Sequence, residues 1–182
     1  MPAKKSAANA SKPTAPADLY PRKELTTMQR IQADRVTGAD HEVVVSVDGQ
    51  PSAATIKKVA ALPNLQFLLA PGLTKFPVEW CALPRLQVLY LGGAPLKSVP
   101  PEIKGLAQLR ELDLGSCKEI TALPEELGEL PNLTSLDVRF TNLTALPKGL
   151  INATALKSVA IHGTSMTPAA IKKIAPKARI QK

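Results

Sequence analysis

Large rings are scarce in this sequence. Three Phe, two Tyr and one Trp make up 3% of the 182 residues, although 45% of the residues are hydrophobic. A core without rings has to be built from Leu, Ile, Val and Ala side chains in stacked layers. Cysteine is nearly absent as well. Cys81 and Cys117 are too few for a disulfide framework, and with no secretory leader ahead of them a reducing, cytoplasmic setting with free thiols is expected. No apolar run approaches the roughly 18 residues of a membrane span, so the chain is expected to be soluble. The two histidines, His41 and His162, stand far apart and neither pairs with a cysteine in register, so no activated thiol is expected.

The net charge of +8 suggests nucleic acid until it is divided along the chain. Residues 1–40 hold seven Lys/Arg against four Asp/Glu, residues 41–170 eleven against eleven, and residues 171–182 five against none. The excess sits at the ends. A surface that reads nucleic acid would need it on the folded face, so contact with nucleic acid is expected only through the basic termini.

What the sequence does have is repetition. From Leu86 to Thr164 one phrase returns: "LQVLYLGGAPLKSVPPEIKGLAQ", "LRELDLGSCKEITALPEELGELPN", "LTSLDVRFTNLTALPKGLINATA" and "LKSVAIHGTSM". Leu89, Leu112, Leu136 and Val159 share one column, and Leu91, Leu114, Val138 and Ile161 the column two residues on, the alternation of a short strand with one face buried. Val99, Leu123 and Leu146 each precede a proline, which ends any strand and opens the return path.

The pattern LxxLxLxx(N/C/T)xLxxLPxxL resembles the leucine-rich repeat, in the class of about 23 residues whose return reads LPxxLGxL, as in Ras-group and bacterial-effector repeats. "LGSCKEITALP" is also similar to the cysteine-type repeats of plant resistance receptors. The resemblance runs from Val43 to about Ala175. It implies an α/β solenoid, a right-handed coil with a concave parallel sheet of about six strands and helices or 3₁₀ turns on the convex side. Where that family places Asn, this chain has Ala94, Cys117, Thr141 and Thr164, so a looser turn is expected there.

Taken in order, residues 1–20 form an Ala/Pro/Lys tail expected to be disordered, with an organelle transit peptide as the alternative. Residues 21–40 carry Leu25, Met28, Ile31 and Val36 near helical spacing and read as a helical cap over the first edge of the sheet. The repeat domain spans 41–176, opening with the strand "HEVVVSV", in which Val45 and Val47 fill the two apolar columns. Ser52 is expected to cap one helix, and Thr167 followed by Pro168 another. "TIKKVAAL" and "AIKKIAP" mark these two helical copies as relatives at either end of the repeat. The basic end, 177–182, has room for one more incomplete strand.

The outward face of the sheet can be read from the columns between the buried pair. Phe67, Leu69, Val88 and Tyr90 make an apolar patch toward the N-terminal side, followed by Glu111, Asp113 and Asp137, with Arg139, Phe140 and His162 at the rim. An exposed aromatic patch beside a charged rim suits a protein-binding surface; the alternative is that the N-terminal tail lies over it. Asp113 and Asp137, neighbours in one column, could bind a cation or share a proton, but they read as solvated decoration because hard-cation sites gather more than two oxygen ligands, and Gly92–Gly93 lacks the Lys-Ser/Thr of a phosphate loop. The sequons at Asn132, Asn142 and Asn152 read as chance. The expected function is therefore a module without chemistry, cofactor or metal that holds a protein partner on the concave face, as a monomer or within a hetero-complex. The alternative is an accessory subunit of a larger assembly, one containing RNA for instance, anchored by the basic termini.

Overall fold

The structure, a computed structural model, describes residues 31–32 and 44–182. Val45, Leu68, Leu89, Leu112, Leu136 and Val159 stand side by side as Cα partners in successive parallel strands. All six are buried, because a β-strand turns alternate side chains to one face and these face the core. Among the described residues the sheet has eight strands in sequence order: β1 (Ile31–Gln32), β2 (Val44–Ser46), β3 (Phe67–Leu69), β4 (Val88–Tyr90), β5 (Glu111–Asp113), β6 (Ser135–Asp137), β7 (Ser158–Ala160) and β8 (Arg179–Gln181). This is the α/β solenoid that the repeat implies.

Two strands exceed the six expected. β8 is the incomplete strand foreseen at the C-terminal end, paired through Val159 and Ile180. β1 corrects an expectation: Ile31 and Gln32, placed in a helical cap, instead pair in parallel with Val45 and Ser46. The open edge of β2 offers unpaired N–H and C=O groups, and a strand satisfies them where a helix only covers them. The remainder of the expected cap, the 1–20 tail and His41 lie outside the described residues.

The return segments behave as their prolines dictate. Pro77, Pro100, Pro124 and Pro147 are each extended, with φ between −75 and −61°, and each is followed by a five-residue 3₁₀ turn: Val78–Ala82, Pro101–Gly105, Glu125–Glu129 and Lys148–Asn152. Among the described residues only the flanking copies have α-helices. In α1 (Ala53–Ala60) Ser52 Oγ accepts the Thr55 N–H, and in α2 (Pro168–Ile174) Thr167 Oγ1 accepts that of Ala170, both at 3.2 Å.

Between sheet and returns runs one aliphatic core from Val45 to Ala178. Its largest side chain, Trp80, packs edge-to-face on Phe76 with ring centroids 6.3 Å apart, and its indole N–H donates to the Ile56 carbonyl. In the column where the family pattern has Asn, Thr141 and Thr164 donate hydroxyls to the carbonyls three residues back at 2.7 Å, while the Cys117 thiol reaches Leu91 O in the preceding rung. The turn is thus held by shorter side chains rather than left loose, and at Ala94 by the backbone alone, whose N–H donates to Leu91 O at 2.9 Å.

Candidate functional site

Three cross-strand rows face away from the core. The first holds Val44, Phe67, Val88, Glu111, Ser135 and Ser158, the second Ser46, Leu69, Tyr90, Asp113, Asp137 and Ala160. Just past the strands, the third carries Gly92, Gly115, Arg139 and His162. Same-face neighbours on adjacent strands stand about 4.8 Å apart, so each row forms a continuous line of side chains.

The apolar end of this face is less open than the sequence suggests. Phe67 is only 7% exposed, and Val44 and Ser46 are buried beside it, although Phe67 and Val44 are not part of the main core. Phe67 lies between Val44 and Val88 in one row, and apolar neighbours at strand spacing shield one another from water. Leu69, Val88 and Tyr90 are half-buried. Whether the N-terminal tail covers them is a matter outside the described residues.

The acidic middle is built from β5 and β6. Asp113 and Asp137 are Cα partners, and both carboxylates accept a backbone N–H from two residues on: Gly115 to Asp113 Oδ1 at 2.7 Å, Arg139 to Asp137 Oδ1 at 2.9 Å. Asp137, 9% exposed, is also gripped by the Arg139 guanidinium, with Nε 2.8 Å and Nη2 2.5 Å from Oδ2. That bond raises the Arg139 pKa further. Asp113 has no ion pair among the described residues. Burial, and then the neighbouring Asp137 charge, push its pKa up to about 6 against the Gly115 N–H and Arg139, which pull it down. Burial followed by the Asp113 charge raises both Glu111 and Tyr90.

At the rim Phe140 is 48% exposed, and its ring packs edge-to-face on His162 with centroids 5.1 Å apart. Its backbone is left-handed, with φ of 56°, in the column that also contains Gly93, Ser116 and Gly163. A bulky residue in that conformation is an outlier.

The cysteines follow the structural expectation. Burial, and then Glu102 and Glu79, push the Cys81 thiol up to about 12, and burial pushes Cys117 up to about 11. Both stay protonated at neutral pH, the opposite of what a nucleophile needs. Among the described residues no three His, Cys, Asp or Glu are placed to hold a metal, and no helix is long and apolar enough to cross a membrane.

Sequence reasoning missed three features. Asn132 and Asn142 donate their side-chain N–H to Ala107 O and Lys118 O of the preceding rung, at 2.8 and 2.7 Å, so two of the three sequons are structural ties between copies. An open groove of about 640 Å³ lies away from the sheet face, lined among others by Phe76, Val78, Pro95 and Pro100. The strained Phe140 was the third: it stands in the column of Gly93 and Gly163, a signal that alignment of the copies contains.

Among solved structures, an LRR protein of Leptospira interrogans matches 76% of this chain at 30% identity and a TM-score of 0.64. The chain folds as a leucine-rich-repeat solenoid. It spans 35% of the length of the Leptospira protein. No family model matches the sequence. No curated protein matches it either.

Proposed function

We propose that the solenoid is a protein-binding module without chemistry of its own, and that it uses the outward face of the sheet from Tyr90 to Phe140. Phe140 carries this reading. An aromatic ring held half in water on a left-handed backbone gains little from folding, and strain kept at the surface belongs with recognition. The half-buried Tyr90, Glu111, Asp113 and Arg139 and the exposed His162 continue the surface, and stacked repeats present such extended faces to partners. An intracellular, reducing setting belongs to the same proposal, with Cys81 and Cys117 unpaired.

The test is quantitative capture of proteins from a cell extract. Phe140→Asn keeps a residue at ease in the left-handed region but removes the ring, and capture should fall about tenfold, a modest hot-spot loss. Ile151→Ser, on the exposed return turn, should leave capture unchanged. The reverse pattern would overturn the proposal.

A second reading rests on the C-terminal charges, since Lys172, Lys173, Lys177, Arg179 and Lys182 are all exposed. If binding is lost on neutralising these residues, falls steeply with salt and ignores Phe140→Asn, the chain is an accessory subunit seated on phosphate.

A further inference from the structure

Each rung of the ladder is tied to the next through one carbonyl. Gln66 O accepts the N–H groups of Gln87 and Val88 at 2.8 and 3.0 Å, and Gln87 O, Arg110 O and Thr134 O accept the corresponding pair from the following rung at the same distances. In the last described rung this position belongs to Ala178, because Ser158 pairs with Arg179. No strand lies beyond β8 among the described residues, and the Ala178 carbonyl instead accepts the Lys172 ammonium at 2.7 Å, which also reaches Pro176 O at 3.1 Å. A side chain thus stands where two strand N–H groups stand elsewhere. β8 bonds inward through the Arg179 N–H, given to Lys157 O, and through Gln181 O, which accepts the Ile161 N–H. The N–H and C=O of Ile180, between them, therefore point to the open edge. Ile174 and Ile180 are only partly buried against the core, so the last apolar layer is open as well.

We propose that β8 is a docking edge that takes an extended acidic segment of a partner protein as the next strand, a surface separate from the outward face of the sheet. Charge selects the occupant. Lys172, Lys173, Lys177, Arg179 and Lys182 are all exposed, and residues 171–182 contain no Asp or Glu. A second copy offering its own β8 brings like charges, and residues 1–30 of the same chain hold six Lys/Arg against two Asp/Glu, so both are repelled. Nucleic acid matches the charge but not the carbonyls. Its phosphates only accept hydrogen bonds, whereas Ala178 O and Ile180 O need donors, which a strand backbone supplies.

The ladder also specifies the pattern of the added strand. Ile180 continues the column of Val45, Leu68, Leu89, Leu112, Leu136 and Val159, so the residue placed on it is apolar and turns toward the core. The residues on either side stand in the outward columns of Arg179 and Gln181, where a carboxylate opposite Arg179 meets a cation at strand spacing. As the strand's N–H groups take over Ala178 O, the Lys172 ammonium is released to pair with a second carboxylate. An acidic residue on each side of an apolar one fits this edge, the pattern of the chain's own β5, Glu111-Leu112-Asp113. Main-chain bonds then hold the segment and its side chains select it.

Backbone amide NMR of the full chain, titrated with the end-blocked peptide Ser-Glu-Leu-Asp-Leu-Gly-Ser, tests the inference. Saturable shifts are expected at Ile180 and Lys182, with β4 and β5 unmoved. The same peptide N-methylated at Glu and Asp keeps every charge but cannot donate to Ala178 O and Ile180 O, and it should bind about tenfold more weakly. Arg179→Glu should also weaken the unmodified peptide about tenfold, whereas Lys118→Glu, the same charge change on a distant exposed loop, should not. Unchanged β4 and β5 resonances in both variants report an intact fold. Equal binding of the two peptides, or of an oligothymidylate of the same charge, would mean attraction by charge alone and would overturn the proposal, as would equal effects of the two variants. Two further results would overturn it by naming another occupant: β8 shifts that depend on protein concentration without peptide, or resonances of residues 1–30 that move in Arg179→Glu. None of these outcomes bears on Phe140-dependent capture.

Discussion

Ser116 and Phe140, with φ of 62 and 56°, occupy a column in which Gly93 and Gly163 adopt the same left-handed conformation at no steric cost. Ser116→Gly should therefore stabilise the protein by up to about 1 kcal/mol, a rise of about 2–4 °C in melting temperature, whereas Ser116→Val should lower it. Asp113 gives a prediction in pH. Its folded pKa of about 6 lies above the usual carboxylate value, so its ionisation opposes folding: the penalty is absent well below the unfolded value, at about pH 3, grows as pH rises from about 4 to 6 and is complete above. Asp113→Asn removes it. After allowance for partial solvent screening, the variant should be about 1–2 kcal/mol more stable than wild type at pH 7.5 and equal to it at about pH 3, measured by thermal melts across that range. A wild-type melting temperature independent of pH between 4 and 7 would contradict the assignment.

At the scale of elements, the alternation of Leu and Val and the prolines at the returns made seven of the eight strands and both α-helices legible, because each depends on local spacing. β1 was not. Ile31 pairs with Val45 across a step of 14 residues, outside the repeat length, and its strand state depends on the waiting edge of β2 rather than on its own neighbours. The open face was legible as a set of columns but not in its burial, since Phe67 loses water to Val44 and Val88, which sit on other strands. Two substitutions test the packing. Leu112→Ala empties a fully enclosed site and should cost about 2–5 kcal/mol in denaturant unfolding. Gly128→Ala should cost about 1–3 kcal/mol, because a Cβ there would lie 1.8 Å from the Gly149 carbonyl oxygen.

Across the whole molecule each rung touches mainly the one before and the one after, so stability is a sum of neighbour terms and the ends should open first. Amide exchange should be slowest in β4, β5 and β6 and fastest in β1 and β8. Uniform protection along the ladder would instead mean all-or-none unfolding. The place where Gly128 meets Gly149, and where Glu125 accepts the Gly149 N–H, also limits how this architecture can grow. A duplicated unit spliced in between those two rungs would have to bring two residues without side chains, one to meet Glu125 O and one to meet Gly149 O. Lengthening by gene duplication is thus conditional at that seam on two codons, however well the leucines of the newcomer match.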